Sequence, residues 1–281
     1  MNYPFSSKIG LGTWRMGESD QSQKSELKAI EYALSIGYRL IDTAEMYAKG
    51  NAERLIGKAL KNIGGNLRSS ITIVSKVLPH HASKNGVITA CEGSLKRLGC
   101  DYIDMYLLHW MGPYPFQETL EGLQLLKEKG LIKNHGVSNF DQAALKKWLE
   151  TEKSMDLAEQ NSTVTNQVYY ALSARGAEFD LIPTLIERNI SLMAYSPLGG
   201  GELAKHKGLQ SIAKPLGLSA AQLALAWVIR QPNTVAIPKS VSISKIFDNW
   251  ACTDLILSKD TLGDLDQLFA PPLAKVPLAV I

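Results

Sequence analysis

Short, nearly continuous apolar runs alternate with longer stretches of helical spacing along the whole chain. The runs are Ile9–Trp14, Arg39–Asp42, Ile71–Lys76, Ile103–His109, Ile132–Asn139, Val164–Tyr169, Ser191–Ser196 and Val235–Pro238. They do not alternate apolar with polar, as a half-exposed strand would. They therefore predict strands of a parallel sheet covered on both faces. Between them, Leu27, Ile30 and Leu34 form a helical stripe that Gly37 closes, and Leu120, Leu123 and Leu126 form another that Gly130 closes. Ser219 and Gln222 have the spacing of a capping box ahead of Leu223, Ala226 and Trp227.

Eight strands alternating with helices predict a (β/α)8 (TIM) barrel of the α/β class. The rival is an open doubly wound sheet. When such a sheet binds dinucleotides it usually carries a G-x-G-x-x-G turn after its first strand, and none is present. No linker or low-complexity segment interrupts the 281 residues, so one domain over 1–281 is expected.

Composition narrows the classes. The net charge of +3 is small and dispersed, which argues against a nucleic-acid surface. Cys91, Cys100 and Cys252 have no metal-ligand spacing, and their sparse, odd number fits reduced thiols in a cytoplasmic protein. The opening M-N-Y-P-F-S-S-K lacks the pattern of a secretion signal, and no apolar stretch is long enough for a membrane span. The tail P-L-A-K-V-P-L-A-V-I reads as a packed extension. No exposed apolar helix face stands out, so a monomer is expected.

In a barrel, chemistry gathers at the C-terminal ends of the strands. The runs end in or carry Asp42, Lys76, His109, Ser138-Asn139, Gln167, Tyr195-Ser196 and Lys239-Ser240, with Tyr47 in the loop after Asp42. All are expected at one mouth. Asp42 and Lys76 can pair, and by itself such a pair is equally well an inert buried ion pair. A tyrosine beside the ammonium would have its pKa drawn down from about 10, toward a group that can donate a proton near neutral pH. His109 could donate a hydrogen bond to a substrate oxygen or pass on a proton.

The order of these pieces resembles the aldo-keto reductase family over almost the whole chain. G-Y-R-L-I-D-T-A with Tyr47 and A-E-R-L-I-G resembles its first signature, I-V-S-K-V its lysine strand and Y-L-L-H-W its histidine strand. G-V-S-N-F, N-Q-V, A-Y-S-P-L and A-I-P-K-S follow in the family's order. The overall pattern is most similar to bacterial methylglyoxal and 2,5-diketogluconate reductases.

The resemblance implies NADPH-dependent reduction of aldehydes and ketones, such as small dicarbonyl or sugar-type carbonyls, on a barrel. Tyr47 would be the general acid, Lys76 its tuning cation, Asp42 the anchor of Lys76, and His109 the group that orients the carbonyl and assists proton donation. The nicotinamide would stack on Tyr195, its carboxamide held by Ser138, Asn139 and Gln167. Gly12, Thr13 and Trp14 at the end of the first run would also adjoin the cofactor. Ser196, Pro197, Leu198 and Gly200 would follow the pyrophosphate, Lys239, Ser240 and Lys245 the 2′-phosphate, and Asp248 and Asn249 the adenine. Lys245 stands where relatives often carry arginine, which keeps the charge and loses the bidentate fork. The resemblance also covers members of the same fold that bind NADPH as non-enzymatic sensors or scaffolds.

Several signals stand outside that series. Trp14 and Trp110 follow strand ends and are expected to wall the substrate site. His80-His81 could line its mouth, and they lack partners at metal-ligand spacing. His135 reads as a satisfied core histidine, and Cys91 and Cys100 as small buried residues. The A-K-G-N-A segment after Tyr47 lengthens the loop beside the acid. Loops after the first, fourth and seventh strands and the C-terminus are expected to set substrate choice, the short tail leaving the pocket open.

Overall fold

All eight apolar runs become strands of one parallel sheet in a computed structural model that describes residues 5, 7–157 and 162–280. The strands are β1 (Leu11–Gly12), β2 (Leu40–Asp42), β3 (Thr72–Val77), β4 (Ile103–Leu108), β5 (Ile132–Ser138), β6 (Thr165–Tyr169), β7 (Ser191–Tyr195) and β8 (Thr234–Ala236). They lie in sequence order, β1 beside β2 through to β8. A parallel bridge between Ile9 and Ala236, with Gly10 N–H donating to the Ala236 carbonyl at 2.8 Å, joins the last strand to the first and closes the barrel. Most of the opening M-N-Y-P-F-S-S-K lies outside the described residues.

Ten helices are described: α1 (Gln23–Ser35), α2 (Asn51–Ile63), α3 (Lys84–Leu98), α4 (Phe116–Glu128), α5 (Gln142–Ser154), α6 (Leu181–Glu187), α7 (Lys207–Ala213), α8 (Ala220–Ile229), α9 (Ile243–Trp250) and α10 (Lys259–Leu268). The local signals account for their ends. Gly37 and Gly130 take φ values of +115° and +70°, which L side chains adopt with strain. Ser219 and Gln222 form the reciprocal capping box at the start of α8.

The strands sort their side chains into two apolar layers. Leu40, Val74, Met105, Leu107, Met193 and Val235 fill the barrel interior. Tyr106 and Leu108, on the other face of β4, pack into the layer beneath the helices. The filled interior leaves the C-terminal mouth as the place for a site.

Some outlying expectations change here. The tail is only partly packed: Leu273 is 96% exposed, Leu278 packs partly against the core, and Lys275 pairs with Asp180 at 2.9 Å. With no regular element to hide its backbone, it lies as a strap over the surface. Cys91 is buried as expected, whereas Cys100 is half-buried near the end of α3. His135 is fully buried, and its Nε2 lies 2.9 Å from Glu152, which also accepts from Trp148 and Thr163. Its Nδ1 is without a hydrogen-bond partner, so the core reading holds with only one nitrogen satisfied.

Candidate active site

β2 and β3 are neighbours in register, Asp42 opposite Val74, which sets Asp42 near Lys76. The Lys76 ammonium contacts both Asp42 oxygens, at 2.8 and 3.0 Å. It also donates to the Thr43 carbonyl at 2.8 Å and to the Tyr47 hydroxyl at 3.2 Å. A charged ammonium only donates, so the Tyr47 oxygen is the acceptor in that contact. Its own O–H is left to point elsewhere, and Tyr47 borders the mouth cavity.

Tyr47 sits on a strained loop. Ala48, Lys49 and Gly50 follow it with φ of +49°, +54° and +83°. Side chains pin this loop to the end of β3. Glu45 accepts from the Leu78 N–H at 2.7 Å and pairs with His81 at 3.0 Å. Behind it, buried Glu53 accepts from Ser75 at 2.6 Å and from Arg97 at 2.5 Å. Glu45 and Glu53 carry no role in the sequence reading. A glutamate inside the apolar stripe Ala52, Leu55, Ile56 of α2 was the available signal for Glu53.

The electrostatics correct the expectation for Tyr47. Burial, and then the negative charge of Asp42, push its phenol well above the ordinary value. Lys76 does not act as a bare cation, because Asp42 is in contact with it. Burial likewise pushes the Asp42 carboxyl up and the Lys76 ammonium down, each opposed by the other's charge and by their hydrogen bonds. The result is a protonated phenol, the form an acid needs. His109 is also decided: burial, with Lys76 nearby, lowers it to about 2. It is there a neutral imidazole, a form that can donate a hydrogen bond. Its Nδ1 is enclosed without a partner, leaving Nε2 as the nitrogen able to meet a ligand. Its ring meets that of Tyr47 edge-on at 5.9 Å.

The groups expected to hold a carboxamide form a chain of their own. The Gln167 amide donates to Asp42 at 2.7 Å, so its carbonyl oxygen is the end left for a ligand. Ser138 donates to the Gln167 backbone carbonyl at 2.9 Å. Asn139, with φ of +59°, donates to the His109 carbonyl at 3.1 Å and to Ser138 at 3.3 Å, and accepts from the Tyr195 hydroxyl at 2.9 Å. Here Asn139 acts as a strut among protein groups. Tyr169 stacks behind the Tyr195 ring at 5.7 Å, fixing the plane it offers to the cavity.

A cavity of about 620 Å³ collects Gly12, Trp14, Asp42, Tyr47, His109, Trp110, Ser138, Asn139, Gln167, Tyr195, Ser196 and Lys239 from the expected set. It adds Met46, Met111, Ile237 and Val280, which were not foreseen. Lys76 is buried just behind the lining. Thr13 is also buried, donating from its hydroxyl and its backbone N–H to the Asp42 carbonyl. Gly12 leaves no room for a side chain: an added Cβ would lie 2.6 Å from the Ile237 carbonyl.

Pro197, Leu198, Gly200, Ser240, Lys245, Asp248 and Asn249 lie outside this lining, on the loops after β7 and β8 and on α9. Gly199, Gly200 and Gly201 all have positive φ, and open space surrounds the last two. Ser240 accepts from the Ser242 N–H at 3.1 Å, which shapes the entry to α9, where Lys245 and Asp248 are exposed and Asn249 is buried. His80 and His81 do not join the lining, because His81 is turned onto Glu45.

Residues 8–270 match the model of the aldo/keto reductase family. The methylglyoxal reductase YeaE of Escherichia coli (strain K12) is 40% identical over 278 residues, spanning 97% of this chain and 94% of that protein. The crystal structure of an aldo/keto reductase from Klebsiella pneumoniae in complex with NADP and acetate superposes with a TM-score of 0.91 at 42% identity, covering 98% of this chain and 95% of that one. A thermostable aldo-keto reductase in complex with the inhibitor epalrestat gives a TM-score of 0.85 at 37% identity, covering 93% and 94%.

Proposed function

The chain belongs to the aldo/keto reductase family, and from that premise we propose that it reduces aldehydes and ketones to alcohols with NADPH, Tyr47 being the proton donor. The observation that carries this reading is the chain Asp42–Lys76–Tyr47 opening beside His109 in one cavity. When bound, NADPH supplies two electrons and a proton's mass as hydride to the carbonyl carbon, so that R₂C=O, NADPH and H⁺ give R₂CHOH and NADP⁺.

The protein's part is position and protons. Tyr47 gives the proton to the carbonyl oxygen, and solvent returns it. Lys76 occupies the phenol oxygen as a donor, which directs the O–H toward the substrate. Neutral His109 donates a second hydrogen bond to the same oxygen and thereby sets the angle of the carbonyl. Asp42, tied to both Lys76 and Gln167, holds the ammonium in place.

The residues fit a nicotinamide. Gln167 has its amide nitrogen committed and its oxygen available, and Tyr195 offers a ring fixed from behind. Lys239, Ser240 and Lys245 would meet the 2′-phosphate, favouring NADPH over NADH. The name of the relative in Escherichia coli supports 2-oxoaldehydes such as methylglyoxal as one substrate group.

The test mixes the protein with NADPH and methylglyoxal or a nitrobenzaldehyde and follows the nicotinamide absorbance. Turnover is expected. Tight NADPH binding without turnover on a broad carbonyl panel would instead favour a binding-only sensor or scaffold. Failure to bind the nucleotide would overturn both readings.

A further inference from the structure

Glu45 stands two residues before the proton donor and does not line the cavity. The ladder between β2 and β3 runs on past the end of β2. The Thr43 N–H donates to the Val74 carbonyl at 2.9 Å, and the Glu45 N–H to the Lys76 carbonyl at 3.4 Å. In a regular parallel ladder the next bond would run from the Leu78 N–H to the Glu45 backbone carbonyl. Here the Leu78 N–H donates to the Glu45 carboxylate, at 2.7 Å. The same oxygen lies 3.0 Å from Nδ1 of His81, on the Pro79–His81 turn that follows β3. The Glu45 side chain is only 10% exposed, so little water competes for these contacts.

Exchanging backbone for side chain lets the chain leave the sheet. At Glu45 the main chain parts from β3 while the carboxylate keeps the two segments joined. The Tyr47 N–H then closes a turn onto the Ala44 carbonyl at 3.0 Å, and the phenol returns to meet Lys76 at 3.2 Å. The next three residues, Ala48, Lys49 and Gly50, all have positive φ. Such a run persists only where contacts on both sides over-determine it. On its far side the Asn51 amide donates to the Gly17 carbonyl at 3.3 Å, and Glu53 accepts from Arg97. On its near side Glu45 is the side chain that ties it to β3. Burial and Asp42 account for the shift of the phenol, so Glu45 acts on where Tyr47 lies rather than on its charge state.

We propose that Glu45 is a positioning residue for the proton transfer, its carboxylate standing in for its own carbonyl in the ladder and so keeping the Tyr47 hydroxyl against Lys76. The inference rests on the reading of Tyr47 as proton donor. His81, half-exposed, braces the carboxylate from the solvent side.

The experiment is a double-mutant cycle of Glu45→Ala and Tyr47→Phe, followed by NADPH consumption with methylglyoxal and by nucleotide titration. Glu45→Ala is expected to lower kcat about 10–100-fold, as displacing a reacting group by about an ångström does, with KM and NADPH affinity within about threefold of wild type. In the Tyr47→Phe background the same change should leave the residual rate within about twofold, because no hydroxyl remains to position. Glu45→Gln keeps an oxygen for the Leu78 N–H and should hold kcat within about fivefold of wild type. If Glu45→Ala does not fold, Glu45→Asp, one methylene too short, takes its place in the cycle with the same expectations. A wild-type kcat in the shortened variant, equal losses with and without the Tyr47 hydroxyl, or a Glu45→Gln enzyme as slow as the shortened one would overturn the inference and leave the reductase reading intact. Absence of turnover in the wild-type protein, or full turnover in Tyr47→Phe, would overturn that reading and this inference with it.

Discussion

Replacing Lys76 with methionine separates its two jobs, balancing Asp42 and directing Tyr47. At 2.8 Å and an effective dielectric constant near 20, the ion pair is worth about 6 kcal/mol before desolvation is subtracted. Both groups are buried, so most of that attraction offsets their removal from water. Breaking the pair is a different matter. Lys76→Met leaves Asp42 charged in the interior with Gln167 as its remaining side-chain donor, which costs about 3–5 kcal/mol. The double variant Asp42→Asn/Lys76→Met removes both charges and should recover most of that loss. Activity should not follow, because Tyr47 still lacks the donor that orients its O–H. Both variants should fall by about 10²-fold or more in kcat. Urea unfolding gives the stabilities and NADPH consumption gives the rates. A double variant no more stable than Lys76→Met, or one that regains wild-type turnover, would refute the division of roles.

The pH dependence follows from the same burial. Because Tyr47 is held well above its ordinary value of 10.0, kcat for reduction should show no loss from the phenol between pH 7 and about pH 10; a fall centred near pH 8 would mean that Lys76 draws it down after all. His109 affects stability: its folded value of about 2 lies below the unfolded 6.5, so only the unfolded state takes up the proton in between. Its contribution is complete above pH 6.5 and lost as pH falls, by about 1.4 kcal/mol per unit. The urea midpoint of His109→Gln should therefore change less between pH 7 and pH 5 than that of the wild type, and equal changes would contradict the neutral imidazole. Lys239→Ala should weaken NADPH binding by about 10–100-fold and leave NADH binding nearly unchanged, measured by fluorescence titration with each nucleotide.

The strands were legible because buried parallel strands have nothing polar to interrupt them until they reach the mouth. The exception is β1, expected over Ile9–Trp14 and found at Leu11–Gly12. Thr13 turns both its N–H and its hydroxyl onto the Asp42 carbonyl, and Arg15 adopts φ of +64°, so the ladder stops early. Neither turn has a signature in the residue types. The site was legible as a set of residues and less so as a circuit. Lys76 beside Tyr47 follows from neighbouring strand ends, but the cancelling charge of Asp42 requires knowing that it touches the ammonium. The Gln167–Asp42 bond spans 125 residues and the Tyr195–Asn139 bond 56, so local pattern is blind to both. Met46, Met111 and Val280 join the mouth through loop and tail paths that apolar periodicity does not encode. His81 was misplaced for a similar reason: its partner Glu45 lies 36 residues earlier.

The central claim is that Tyr47 supplies the proton and does little to hold the cofactor. Tyr47→Phe keeps the ring and removes one oxygen, so NADPH affinity and the rate of turnover should separate in a single variant. Measured together by nucleotide titration and by steady-state reduction of methylglyoxal and hexanal, the account predicts NADPH binding within about threefold of wild type and kcat reduced by about 10²–10⁴-fold. A variant that binds NADPH normally and still reduces both aldehydes near the wild-type rate would contradict it.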